Sequence, residues 1–210
     1  GIFSNRPQGA FDKATGQILI AAKVAPVYFV SRGAGFILDP SGIVVTNAHI
    51  VQNGGRITVT LCDNSQFPGN VLHLVPEADL AFVKITVPHG LPFIPLGDSD
   101  KVKLDTPVYT TGNSELIRGS LSEGRVSGIG TSRGNPQAGV ATLQINFTLY
   151  KGDSGSPVMN ARGELLGMIS SQTRPDVIYA VPSNIIRQSF LQYLAKNPTV
   201  LAPSPPPAAS

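Results

Sequence analysis

Short apolar runs separated by glycine, proline and small polar residues make up most of this chain. Ile43, Val44 and Val45 form one such run, and all three are β-branched, which suits a buried strand. Runs of this kind fall into two groups, over residues 26–87 and 107–181, with a Pro- and Asp-containing crossover at residues 90–105. The pattern predicts an all-β fold.

Helical patterns are predicted only near the two ends. Residues 10–23 favour a short helix, although Gly16 weakens it. Ser183 is a candidate cap for a second helix, whose Ile186, Phe190 and Leu194 recur at i, i+4 and i+8 on one face.

The outermost segments are expected to lie outside the folded domain, which we place at residues 10–196. Residues 1–9 are polar and rich in turn formers, so we expect an arm. Residues 197–210 form a Pro/Ala/Ser tail typical of a linker. The stretch Pro203-Ser204-Pro205-Pro206 within it is also compatible with a proline-recognition ligand.

Composition is that of one domain. The 210 residues are enough to bury roughly 70% of the unfolded surface. A net charge of +3, scattered along the chain, does not favour nucleic-acid binding. We expect no signal peptide and no membrane span in the chain, and Cys62, the one cysteine, leaves the compartment open.

The three histidines are dispersed, so we expect no metal site and no cofactor. His73 lies in an alternating apolar and polar segment and is predicted to face solvent from a strand. His89 lies between Pro88 and Gly90 in a predicted turn.

The segment Gly152–Pro157 places Ser154 between glycines, after one apolar run and before another. A nucleophilic serine needs a turn in which its hydroxyl is clear and backbone N–H groups point at a developing oxyanion, and glycine permits the required dihedrals. A G-x-S-x-G pattern alone also fits an ordinary turn serine.

A histidine and an acid occur upstream. His49 follows the buried run that ends at Thr46, and Asp79 directly precedes the apolar run 80–85. The chain order His49, Asp79, Ser154 is one of the orders in which a Ser-His-Asp triad is assembled. A structural histidine and a strand-start cap remain the alternatives for the first two.

The chain resembles trypsin-like serine proteases of the chymotrypsin fold, and more closely the HtrA/Deg branch. The resemblance runs in family order over roughly residues 12–195. It implies two six-stranded antiparallel β-barrels with the site between them. Two departures are Ser156, where the family usually has Gly, and Asp153, where HtrA members usually have Asn. The motifs that carry the resemblance are Gly33–Leu38, Thr46–His49, Ala78–Ala81, Gly112–Asn113, Gly152–Pro157 and Ala180–Asn184.

The resemblance implies roles for individual residues. His49 is expected to act as general base, Asp79 to hold its imidazole and Ser154 to attack the peptide carbonyl. The oxyanion hole is expected from backbone N–H groups of the segment Gly152, Asp153 and Ser154. Thr148, Ile169, Ser170 and Ser171 are expected around a pocket that prefers small or medium apolar side chains before the cut.

Further implications concern assembly and regulation. The family resemblance implies polypeptide substrates, often misfolded or damaged proteins, and a homotrimer to which Phe3 and Phe11 would contribute. It also implies a possible PDZ domain after residue 210 and a regulatory loop that contains Arg133. A periplasmic or other extracytoplasmic location is expected, with an organelle as the alternative.

Two other functions are compatible with the same residues. One is a processing protease with a single dedicated substrate. The other is a catalytically silent chaperone or binding module that holds unfolded segments in the cleft. The intact His49, Asp79 and Ser154 favour an enzyme over the second of these.

Overall fold

The computed structural model describes residues 19–24, 29–113, 118–131, 141–146, 153–174 and 177–201. The first half of the chain forms one antiparallel sheet in the order β2-β1-β5-β6-β7-β4-β3. Its elements are β1 Leu19–Val24, β2 Phe29–Gly33, β3 Phe36–Asp39, β4 Ile43–Thr46, the short helix α1 Ala48–Val51, β5 Arg56–Thr60, β6 Gln66–Val75, the 3-10 turn η1 Pro76–Ala78 and β7 Leu80–Ile85.

The two edges of this first sheet are joined by the chain, so the sheet curves back on itself. Its edge strands β2 and β3 are separated by only Ala34 and Gly35, so the two edges meet at that point. In the described residues this half forms a seven-stranded sheet with no ladder between its two edge strands, so closure into the predicted six-stranded barrel stays a prediction. The outer side of β3 is covered by the crossover, where Ile94 N–H donates to Ile37 O over 3.0 Å.

The second half forms a closed six-stranded barrel in the order β10-β13-β12-β11-β8-β9, which confirms that part of the predicted fold. The crossover before it contains the 3-10 turn η2 Ser99–Lys101. The strands are β8 Pro107–Asn113, β9 Arg118–Thr131, β10 Ala141–Asn146, β11 Pro157–Met159, β12 Leu165–Arg174 and β13 Val177–Pro182.

Three apolar clusters hold these layers together. One fills the inside of the first sheet, around Val44 and Val83, and one fills the barrel, around Leu143 and Ile169. The third joins the two halves and includes Phe82 from the first and Met168 from the second. Because each fully buried side chain of this size contributes about 1.5–3 kcal/mol, the shared cluster fixes how the halves pack.

The C-terminal helix α2, Ser183–Lys196, packs as its periodicity predicts. Ile186 and Phe190 are buried in the shared cluster, and Leu194 packs against it. The predicted cap is wrong, because the helix begins at Ser183 and Pro182 occupies the cap position. The Ser183 hydroxyl instead donates to Gly97 O over 3.0 Å.

The helix predicted over residues 10–23 is wrong where the structure can test it. Residues 19–23 belong to β1, which pairs with β2 on one side and β5 on the other, for example Ile20 with Gly33 and with Val59. Two ladders satisfy the backbone groups of this segment, and tertiary pairing overrides local propensity. Residues 1–18, with Phe3 and Phe11, lie outside the described part.

His73 does not face solvent as predicted. It is half-buried on β6, with its ring stacked on Tyr193 at 5.2 Å and on Phe82 at 6.3 Å between centroids. The alternation is interrupted by a register shift between Val71 and His73, which turns the imidazole under α2.

The described part of the tail is short. A 3-10 turn η3, Pro198–Leu201, follows α2, and Val200 packs against the shared cluster. Across the described residues, every helix is too short or too polar to span a membrane.

Candidate active site

His49 is presented at the end of a buried strand. β4 is buried along its whole length, and Asn47 then takes an extended conformation before the single turn of α1 begins at Ala48. His49 is the exposed residue of that turn, while its neighbours Ala48 and Ile50 are buried. The backbone of His49 is therefore held between buried neighbours, while its imidazole is accessible to solvent on one side.

Asp79 lies between η1 and β7 in a left-handed conformation, with φ 50°. Aspartate is one of the few residues other than glycine that adopt this region at modest cost. The residue is 5% exposed. Its backbone O accepts a hydrogen bond from the Asn47 amide over 3.1 Å, which ties the turn to the end of β4.

The two side chains meet directly. His49 Nδ1 is 2.9 Å from both Asp79 carboxylate oxygens, and the His49 backbone N–H donates to Oδ1 over 3.0 Å. The second half of the chain adds a third donor, because the Ser170 hydroxyl lies 2.8 Å from Oδ2. A buried carboxylate with these donors is satisfied without full exposure to water.

The carboxylate contacts also fix the orientation of the imidazole. With Nδ1 facing the carboxylate, Nε2 is the nitrogen that remains for a reacting group. The His49 side chain is 45% exposed and the Asp79 side chain 7%, so the pair has one buried and one accessible end. In this arrangement Nε2 can exchange a proton with a reacting group, while the carboxylate stays shielded from water.

Ser154 lies in a turn that is held by backbone contacts. Its carbonyl accepts from Ala34 N–H over 2.7 Å, and Gly155 N–H donates to Ile169 O over 2.8 Å. Ser156 N–H closes the turn on Asp153 O over 3.0 Å. Gly155 has φ +91°, and a Cβ there would collide with Ala34 O. Only glycine fits this position.

The segment at Ala34 also joins the Ser154 turn to the end of β4, close to His49. Thr46, three residues before His49, donates its hydroxyl to Ala34 O over 2.7 Å. Gly33 lies against both Ile50, next to His49, and Ser154 O. Between the described residues His49 and Ser154 no hydrogen bond forms, and such contacts often tighten only when substrate binds.

The expected oxyanion segment is described in part. Gly152 lies outside the described residues, and Asp153 is 2% exposed. Ser154 N–H donates to no carbonyl of the described residues, which leaves it available as an oxyanion donor.

The expected pocket residues lie in different surroundings. Ile169 is buried in the barrel core, Ser170 contacts Asp79, and Ser171 is half-buried on the next position of β12. Thr148 and Arg133 lie outside the described residues. No group of three or more His, Cys, Asp or Glu that could hold a metal is found in the described part of the chain.

Two residues of the site have roles that sequence reasoning did not assign. Asn47 lies within the Thr46–His49 motif, two residues before the histidine, so the motif itself could have indicated its role. Ser170 was expected beside a pocket, and its contact with Asp79 joins residues 91 positions apart. No local pattern could reveal that contact.

Comparison with known proteins agrees with this geometry. A trypsin-like peptidase domain model matches residues 33–168. The putative serine protease HhoA of Synechocystis sp. is 37% identical over 159 residues, which cover 72% of this chain and 40% of that protein. The periplasmic serine endoprotease DegP of Salmonella typhimurium is 32% identical over 165 residues, 76% of this chain and 35% of its own length.

A third relative is the mitochondrial serine protease HTRA2 of Bos taurus, 30% identical over 171 residues, which cover 80% of this chain and 37% of that protein. The chain thus spans about two fifths of the length of these relatives, or less. The matched region contains His49, Asp79 and Ser154. The chain belongs to the trypsin-like serine proteases, in their HtrA/DegP branch.

Proposed function

We propose that this chain is a serine endopeptidase in which Ser154, His49 and Asp79 form the catalytic triad. The observation that carries the proposal is the Nδ1 contact of His49 with both oxygens of a buried carboxylate, next to a glycine-flanked serine turn. Family membership supports the same reaction class.

In the proposed reaction, His49 Nε2 takes the proton of the Ser154 hydroxyl as its oxygen attacks the peptide carbonyl. The proton then passes to the leaving amine, and an acyl-enzyme remains on Ser154 until water hydrolyses it. Asp79 stabilises the imidazolium that forms in both steps. Ser170 and the His49 backbone N–H keep the carboxylate in place.

The oxyanion that develops in both steps is proposed to bind the backbone N–H groups of Gly152 and Ser154. Each such donor contributes about 3 kcal/mol to the transition state. The hydrogen bond from Ser156 N–H to Asp153 O over 3.0 Å supports this role, because it holds the peptide plane that carries the Ser154 N–H.

We propose polypeptide substrates with a small or medium apolar residue before the cut, in unfolded or damaged proteins. The partly exposed Ser171, on β12 beside Ser170, supports an uncharged pocket wall. Homotrimer formation and a PDZ domain after residue 210 stay proposals. A dedicated processing role and a silent binding module are the competing functions.

The test is hydrolysis of casein by the 210-residue chain and by Ser154→Ala. Ser122→Ala, on β9, is the matched control, because it removes a hydroxyl of the same size from a strand that carries no residue of the proposed triad. We expect cleavage by the chain and the control and none by Ser154→Ala. A fluorophosphonate probe should label the chain once, at Ser154, and more slowly in His49→Ala.

Two outcomes would contradict the proposal. Equal cleavage by Ser154→Ala would assign the activity to another residue. Absence of both cleavage and labelling, with casein retained in pull-down, would favour the binding module. Peptide libraries then test the pocket, and preferred cleavage after Arg or Lys would reject an apolar preference.

A further inference from the structure

A groove of about 610 Å³ separates α2 from the end of β6 and from η1. One wall contains His73 and Glu77, and the other contains Gln188, Gln192, Tyr193 and Asn197. The groove lies beside the segment that leads into Asp79, and no residue of the Ser154 turn lines it.

Aromatic rings and free amides give this groove a definite chemistry. Tyr193 stacks on His73 with an interplanar angle of 19°, so its ring is held rigidly. Gln188 and Gln192 lie one turn apart on the exposed side of α2, and neither amide forms a hydrogen bond within the described residues. A fixed ring flanked by amide donors suits an extended polyproline segment, whose backbone carbonyls are unpaired and whose rings pack on aromatics.

We propose that this groove binds the Pro-rich tail of the same chain, residues 202–210. The segment Ala202-Pro203-Ser204-Pro205-Pro206-Pro207-Ala208-Ala209-Ser210 has no charged side chain. The groove is lined by one carboxylate, Glu77, and one ammonium group, Lys196, which offset one another. A neutral, proline-containing ligand therefore meets no net charge from the carboxylate and the ammonium.

The length and entry point of the tail fit the groove. Asn197 lines the groove, and its side-chain amide donates to Tyr193 O over 3.0 Å, so the residue before η3 lies at one end of the groove and the tail begins five residues later in the chain. The groove follows α2 from Asn197 back to Ile185, which is about 18 Å at 1.5 Å per residue. Nine residues of polyproline helix extend about 28 Å, which is more than enough.

Docking within one chain also needs little intrinsic affinity. A short connection gives the tail an effective concentration in the millimolar range, so a weak site is occupied. Val200 strengthens the link, because it packs against the same shared cluster as Tyr193 of the groove. No residue of the proposed triad lines the groove, so tail docking and catalysis can be tested separately.

Disulfide trapping in the full chain tests the proposal. In a Cys62→Ser background, Ser204→Cys is combined with Gln192→Cys, which lines the groove, or with Leu191→Cys, the matched control. Leu191 is the adjacent residue, is 57% exposed and does not line the groove. We expect the Gln192 pair to close about tenfold faster than the Leu191 pair in the same redox buffer.

A second variant removes the recognised feature and leaves the folded domain unchanged. Replacement of Pro203, Pro205, Pro206 and Pro207 by Ser should lower the Gln192 rate to that of the Leu191 control. Equal rates for the two pairs would overturn docking, and a fast rate without the prolines would overturn polyproline recognition. Trapping that rises with protein concentration would assign the groove to a second copy and overturn docking within one chain.

Discussion

The His49–Asp79 pair and the Ser154 turn are held by different kinds of contact. Asp79 is fixed by side-chain and backbone donors that converge on its carboxylate, from His49 and Ser170. The Ser154 turn is fixed by backbone hydrogen bonds and by the absence of a side chain at Gly155. Substitutions at the pair should therefore act through lost charge and lost hydrogen bonds. Substitutions at the turn should act through steric crowding.

The largest expected effect is on the acid. Asp79→Asn should lower kcat about 10⁴-fold, because an amide cannot accept from both His49 and Ser170 and holds the wrong imidazole tautomer. Asparagine tolerates the left-handed backbone at φ 50°, so the fold should persist. Kinetics on a peptide substrate, with circular dichroism, check this. A loss of less than tenfold would remove Asp79 from the mechanism.

Gly155→Ala tests the other half. Its Cβ would collide with Ala34 O, so we expect about 3 kcal/mol lower unfolding free energy and about 100-fold lower activity. Gly54→Ala is the matched control, because Gly54 also has positive φ, +72°, but open space around it. The control should lose about 1 kcal/mol and no activity. Urea denaturation and peptide hydrolysis measure both, and equal losses would refute a steric origin.

A smaller effect is expected at the contact between the halves. Ser170→Ala removes the 2.8 Å donor to Asp79, so activity should fall about tenfold, mainly in kcat. Ser183→Ala, another buried hydroxyl, loses its bond to Gly97 O far from the site. The two variants should be destabilised alike, by about 1–2 kcal/mol, and only the first should lose activity. Equal activities would assign Ser170 a purely structural role.

The smallest effect lies outside both halves, where the crossover meets α2. Hydrogen bonds from Asn184 first, then Lys101 and the Asp100 N–H, lower the pKa of Asp98. A lowered folded-state pKa contributes stability above the unfolded value and loses it as pH falls through the folded value.

The stability difference between the chain and Asn184→Ala should thus be present above about pH 4 and shrink below it. Carboxyl NMR titration should show a higher Asp98 pKa in the variant. An unchanged Asp98 pKa would contradict the assigned cause.

The sequence predicted those features of the site that depend on neighbours in the chain. Asp79 directly precedes β7 and Ser154 lies between glycines, so local patterns indicated both. The contact between Ser170 and Asp79 depends on strand packing 91 residues apart, which periodicity does not encode.

The errors in the predicted fold also come from contacts that local sequence does not encode. Residues 19–23 have a helical pattern but lie between two strands that the local sequence does not reveal. His73 alternates like an exposed strand residue, but a register shift turns it beneath Tyr193. The buried face of α2 was predicted correctly, because the spacing of Ile186 and Phe190 alone places both on one side of a helix.

The hydrogen bond from Ser170 to Asp79 also bears on the order of folding. Its partners belong to the two halves of the chain and are 91 residues apart, so the bond forms only after the halves dock. Before docking, the dyad lacks both this donor and the Ser154 turn. Under the proposed mechanism, the chain therefore becomes able to hydrolyse peptides only after its halves have docked, and a nascent first half cannot attack its neighbours.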